Sequence, residues 1–127
     1  MARERRGGDR KRFLRASRDI EHVKQHGRRL STTSFNLLIC RTEDNDTRVG
    51  IVVGKRFGGA VRRNRAKRLF RELTRQVYGQ LIAGYSLLVF PKRDAMGLSF
   101  DALKAVWCST LRRQGMLRTP ETESPHP

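Results

Sequence analysis

An α+β sandwich, with helices packed on a small sheet, is the fold class this chain predicts, and three patterns predict it. Phe35, Leu37 and Ile39 alternate with Asn36, Leu38 and Cys40, and Val49, Ile51 and Val53 alternate with Arg48, Gly50 and Val52. A period of two is that of a strand. From Ala60 to about Tyr78 the period becomes helical: Ala66, Leu69, Phe70, Leu73 and Val77 share one face. The apolar run YSLLVF, opened by Gly84 and closed by Pro91, then returns to strand.

In chain order, Ser17 is placed to cap a short helix, with Asp19 in its first turn and Gly27 at its end. Ile20 and Val23 would face inward. Residues 28–32 can add a short strand before the Phe35 strand. The polar run from Thr42 to Asp46 reads as a turn, which brings the Val49 strand back antiparallel to the first. After the long helix and the YSLLVF strand, Ser99 caps a last helix whose Phe100, Leu103, Trp107 and Leu111 form one stripe. The order is helix, two or three strands, helix, strand, helix. Residues 1–12 predict a flexible basic arm and residues 116–127, with three of the four prolines, a disordered tail, leaving 13–115 as the folded domain.

Charge narrows the function. The 127 residues hold 28 Lys+Arg against 12 Asp+Glu, a net charge of +16, and 22 of the 28 are arginine. Such a balance points to a polyanionic partner, and the planar guanidinium fork matches phosphate oxygens where an ammonium offers a point charge. Nucleic acid leads. An acidic membrane surface is weaker, because no long stretch presents a wholly apolar face to lipid. No apolar run approaches a bilayer span, residues 1–12 have no apolar signal core, and Cys40 and Cys108 lie singly in apolar runs, so a cytoplasmic protein with free thiols is expected.

The strongest functional signal is the segment from Gly54 to Arg75, GKRFGGAVRRNRAKRLFRELTR, with nine basic residues and one acid, Glu72. At 100° per residue, Asn64, Lys67, Arg68, Arg71 and Arg75 gather opposite the apolar stripe, flanked by Arg63 and Arg65. Like charges three and four apart destabilise a helix by a few tenths of a kcal/mol per pair. A solvated charged face is the ordinary outcome of a charge run, but it mixes signs, and this face does not. The glycines before the helix leave backbone N–H groups free to meet an anion. They do not make a Walker loop: GIVVGKR is one residue short between glycines, and Arg56 stands where a Ser or Thr would hold Mg²⁺. His22 and His26 lack a third ligand at recognisable spacing, and Asp44 and Asp46 around Asn45 suit a turn. No spacing suggests a self-sufficient nuclease.

The run RVGIVVGKRFGGAVRRNRAKRLFRE resembles the protein subunit of bacterial ribonuclease P, including its Arg-Asn-Arg helix. The likeness spans most of 13–115, from the helix ending at His26-Gly27 to the last helix. It implies an αβββαβα sandwich with a left-handed crossover around the basic helix, where a right-handed one is the general expectation. It also implies a function: to bind a catalytic RNA subunit and the 5′ leader of precursor tRNA, assisting endonucleolytic removal of the leader. Catalysis would use Mg²⁺ held by the RNA, with no metal bound by the protein. Carried over by position, Lys55, Arg56, Arg63, Asn64, Arg65, Lys67, Arg68 and Arg71 would touch the catalytic RNA, with Arg75 on the same face. Phe13, Ile20, Lys24 and Leu38 would line the leader groove. The family often has Asn where Gly59 stands, and often has aromatics where Ile20, Lys24 and Leu38 stand. Taken without the resemblance, a ribosomal or ribosome-assembly protein, a DNA binder placing the helix in a major groove, and a protein-only nuclease remain open.

Overall fold

The computed structural model describes residues 12–118. Helix α1 (Ser17–His26) leads into β1 (Arg28–Ser31), β2 (Phe35–Arg41) and β3 (Arg48–Ile51). Helix α2 (Ala60–Val77), strand β4 (Tyr85–Pro91) and helix α3 (Phe100–Arg113) follow. This is the αβββαβα order. The sheet runs β1-β2-β4-β3, with β4 antiparallel to β2 and parallel to β3.

That order corrects the expected hairpin. β3 does run opposite to β2, but β4 lies between them, so the turn at Thr42–Asp46 joins strands that never pair. The turn is held locally: Thr42 Oγ1 donates to the Asp44 carbonyl at 2.8 Å and the Asp46 N–H donates to Asp44 Oδ1 at 3.1 Å. Arg48 reaches back to Asp46 at 3.4 Å. The basic helix α2 is therefore the crossover between two adjacent parallel strands.

Sheet and helices enclose two apolar layers. Under α2 and α3 lie Phe35, Leu37, Ile39, Val49, Leu87 and Val89 from the strands, with Phe70, Leu73, Leu103, Trp107 and Leu111 from the helices. Phe35, Phe70 and Trp107 meet edge to face, with ring centroids 5.2–5.9 Å apart, in the geometry aromatic quadrupoles favour. On the other face Leu38, Cys40 and Leu88 pack with Val23 of α1 and with Leu14. Both faces of β2 are thus covered, which explains its near-continuous apolar run. Gly27 permits the α1 contact: a Cβ there would sit 2.6 Å from the Val23 carbonyl and 3.2 Å from Leu38 Cβ.

Caps and boundaries differ in detail from expectation. Ser99 caps α3 as predicted, its Oγ accepting from the Ala102 N–H at 3.1 Å. Ser17 does not cap α1; it is the first helical residue, and Ala16 at the cap position offers no side-chain bond. The folded part also runs past 115. Met116 and Leu117 are buried, Leu117 bridges to Leu81, and the Arg118 N–H donates to the Gln80 carbonyl at 2.7 Å. Residues 1–11 and 119–127, where the arm and the rest of the tail were expected, lie outside the described residues. Cys40 and Cys108 are free thiols, the first buried and the second half-buried.

Tyr78, just past α2, donates its hydroxyl to the Thr47 carbonyl at 2.5 Å, and the Arg12 guanidinium lies 4.9 Å from its ring centroid. Burial pushes the hydroxyl above the ordinary tyrosine range, the Arg12 charge partly opposing it. The folded state therefore favours the protonated form. Its contribution is complete below the ordinary value of about 10 and is lost as pH climbs through the raised one. Tyr78→Phe is expected to lower stability by about 1 kcal/mol at neutral pH. It should also flatten part of the alkaline decline in melting temperature. An unchanged alkaline profile would show that Tyr78 takes no part in it.

Candidate nucleic-acid interface

The cationic face starts at a turn. Lys55–Phe57 form a 3-10 turn, with Lys55 and Arg56 exposed and Phe57 buried. Gly58 follows at φ +149°, a conformation side chains rarely adopt, and the Arg62 stem lies against it, Arg62 Cδ being 3.0 Å from where a Cβ would stand. Gly59 occupies the cap position of α2 with no side-chain bond, so the helix opens without the cap an Asn would supply.

Along α2 the core stripe fixes the roll. Ala66, Phe70, Leu73 and Val77 are buried, Leu69 is half-buried, and Thr74 turns its hydroxyl back to the Phe70 carbonyl at 2.8 Å. Asn64, Arg65 and Arg68 are thereby exposed, and Arg63, Lys67 and Arg71 half-buried. Arg63 Nε is enclosed with no hydrogen-bond partner, a cost of about 1–3 kcal/mol with no structural return. Among the described residues no carboxylate comes within ion-pair distance of Arg62, Arg65, Arg68 or Arg71. Arg75 is different. It pairs with Glu72 at 3.4 Å and sits 5.8 Å from the Phe13 ring centroid, so part of its charge is engaged within the fold.

The expected leader-groove residues are less uniform. Lys24 is exposed on α1 and Ile20 half-buried. Leu38 is 8% exposed and Phe13 is 6% exposed, both held in apolar packing or bridging and neither open to a stacking base. Sequence reasoning missed Phe90. In the β2–β4 register Phe90 lies opposite Asn36, and it is half-buried and, like Ile20 and Val52, packs against the layer under α1. The alternation of Ser86, Leu88 and Phe90 against Leu87 and Val89 already places it on that face. An aromatic is thus present, supplied by β4 where the family pattern points to α1 and β2.

Elsewhere on the same side, a cavity of about 520 Å³ is lined by Asp19, His22, Arg41, Glu43, Asp44 and Arg48 among others. Its mixed charge suits a phosphate path poorly. The exposed His22 and His26 rings lie with centroids 4.5 Å apart and planes tilted by 40°. Among the described residues no three His, Cys, Asp or Glu side chains gather so as to hold a metal ion, and no helix is long and apolar enough to cross a membrane.

Comparison with known proteins agrees with this architecture. The chain matches the ribonuclease P family over residues 9–114. It is 35% identical to the ribonuclease P protein component of Chloroflexus aggregans, covering 90% of this chain and 85% of that one. The structure of the RNase P protein from Thermotoga maritima superposes with a TM-score of 0.72 at 30% identity, over 80% of this chain and 96% of that one. The Staphylococcus aureus RNase P protein superposes with a TM-score of 0.73 over 84% and 97%, at 20% identity a likeness of fold. With its αβββαβα order, its Arg-Asn-Arg helix and these relatives, the chain belongs to the ribonuclease P protein family.

Proposed function

We propose that this chain is the protein component of a ribonuclease P that removes the 5′ leader of precursor tRNA, and that it works by binding two RNAs at once. The exposed face of α2 seats it on the catalytic RNA through phosphates and sugars. The sheet face beside α1, with Lys24, Ile20 and Phe90, receives the leader. The observation that carries this reading is the α2 face: among the described residues Arg65, Arg68 and Arg71 have no carboxylate within ion-pair distance, on a helix rolled by its core stripe to present them. Self-repulsion of that kind is offset by a polyanion. Lys55, Arg56, Arg63, Asn64 and Lys67 extend the contact. Hydrolysis would be carried out with Mg²⁺ held by the RNA. Every protein residue named here binds or orients; none transfers a proton to the scissile phosphate.

The test is cleavage of precursor tRNA by the protein, by a bacterial ribonuclease P RNA, and by both. The protein alone is expected to leave the substrate intact, and the pair to cleave faster at low Mg²⁺ than the RNA alone. Cleavage by the protein without RNA would overturn the reading. For the leader, Lys24→Glu is expected to shrink the affinity difference between substrates with and without a five-nucleotide leader, and the shrinkage should fade as salt rises. Leu38→Ala is no test of the groove, because Leu38 is part of the packing under α1. An unchanged leader contribution in Lys24→Glu would move the leader path away from α1.

A further inference from the structure

Two adjoining hollows flank α2 on the side away from Lys67. One, of about 210 Å³, is lined by Phe57, Arg62, Arg65, Arg93 and Met96. The other, of about 440 Å³, is lined by Arg65, Arg68, Leu69, Glu72, Met96, Leu98 and Phe100. Sharing Arg65 and Met96, they form one groove between α2 and the 3-10 segment Arg93–Gly97 that leads into α3. Its floor is apolar: Phe57, Met96, Leu98 and Phe100. Its rim carries the guanidiniums of Arg62, Arg65, Arg68 and Arg93 and one carboxylate, Glu72.

The groove is built before any ligand arrives. Ala95, fully buried, anchors the 93–97 segment in the core, and Arg93 Nη2 donates to the Arg56 carbonyl at 2.7 Å, tying that segment to the turn before α2. The Arg62 stem passes beside Gly58, its Cδ 3.0 Å from where a Cβ would stand. Leu98 is one of only two large apolar side chains exposed among the described residues, and it lies in this groove. An apolar floor rimmed by four guanidiniums and a single carboxylate has a specific complement. A nucleobase offers a flat face that stacks on apolar and guanidinium planes, and brings its own phosphate to the adjoining charge. An apolar peptide would leave Arg62, Arg65 and Arg68 unanswered.

We propose that this groove takes one or two unstacked nucleobases of the RNA bound by α2, so that the protein grips that RNA by inserted bases as well as by phosphates. The inference rests on the RNA-binding reading above and adds a site to it. The exposed arginines set attraction, and the groove sets which unpaired segment docks.

The probe is an in-vitro transcript of the Chloroflexus aggregans ribonuclease P RNA, with the full-length protein. A Met96→Ser/Leu98→Ser double variant is expected to bind roughly five- to a hundredfold more weakly at both 50 and 200 mM salt, on the scale of one lost stacking contact. Because no counterion release is lost, its salt slope should match wild type. Wild type should protect one or two unpaired adenines or cytosines of the transcript from dimethyl sulfate, and the double variant should not. As a readout independent of that variant's folding, p-benzoylphenylalanine placed at Leu98 should cross-link to the transcript. If the double variant keeps wild-type affinity and footprint while Arg71→Ala weakens binding, the groove proposal fails and the RNA-binding reading stands. If neither change weakens binding, both fail. A Leu98 cross-link to a second protein copy and not to RNA would also overturn the groove.

Discussion

Removing three guanidiniums at once, in Arg65→Ala/Arg68→Ala/Arg71→Ala, is expected to lower affinity for a bacterial ribonuclease P RNA a hundredfold or more. Each charge-assisted contact contributes about 1–3 kcal/mol, so even the low end of the sum reaches that factor. The fold should not suffer. None of the three belongs to the core stripe of Ala66, Phe70, Leu73 and Val77, and none is ion-paired among the described residues. Their removal also relieves like-charge pairs three apart and introduces a better helix former, so the melting temperature should hold or rise slightly. Salt gives a second reading. With about six phosphates neutralised, wild-type affinity should fall roughly 10³-fold between 50 and 200 mM salt, and the triple variant's only by several tens. Wild-type binding by the triple variant, or a flat salt profile, would reduce this face to a solvated surface.

Truncating Trp107 tests the scaffold beneath that face. Trp107 is 1% exposed, meets Phe35 at 5.2 Å and Phe70 at 5.9 Å between ring centroids, and so joins α3 to both β2 and α2. Trp107→Ala is expected to cost about 3–5 kcal/mol, a large share of the margin of a small domain, and to lower the melting temperature by roughly 15–25 °C. Saturating RNA should restore part of the loss, since it binds the folded state alone. Trp107→Phe should cost far less: it keeps an aromatic edge and discards an indole N–H that has no acceptor here. A drop of only a few degrees in Trp107→Ala would mean the three-ring cluster is not the keystone of this layer.

What the sequence made legible follows from the range of its signals. Periodicity reports faces, so α2, its stripe and its cationic arc could be drawn residue by residue, and a serine before an apolar stripe marked the α3 cap. Periodicity does not report neighbours. Val49 and Leu38 each sit in well-marked strands, yet nothing local says that β4 will slide between them. β1, with the sequence RRLS, is an edge strand with one apolar residue and carries little pattern at all. Met116 and Leu117 were hidden by the prolines after them, though each is an apolar residue in a polar stretch. In the leader groove, Leu38 was assigned by position in the family pattern, but its surroundings are set by α1 closing over it. Phe90 is legible from the alternation of β4 but lies on a different strand from the positions the family pattern points to. The base groove could not be read in advance, since residues 93–98 are aperiodic and the lining is shared among the turn before α2, α2, this connection and the start of α3.

The placement of α2 within the crossover also bears on how the chain reaches this structure. β3 cannot find its partner early: Val49 pairs with Leu87, and the whole arginine-rich helix must be made and folded back before that ladder can close. Long loops slow closure, and this one carries a charge that resists compaction. An RNA that neutralises the helix would favour closure of the loop itself. Association should then raise the refolding rate as well as the stability, making RNA a template for the last strand of the sheet to dock.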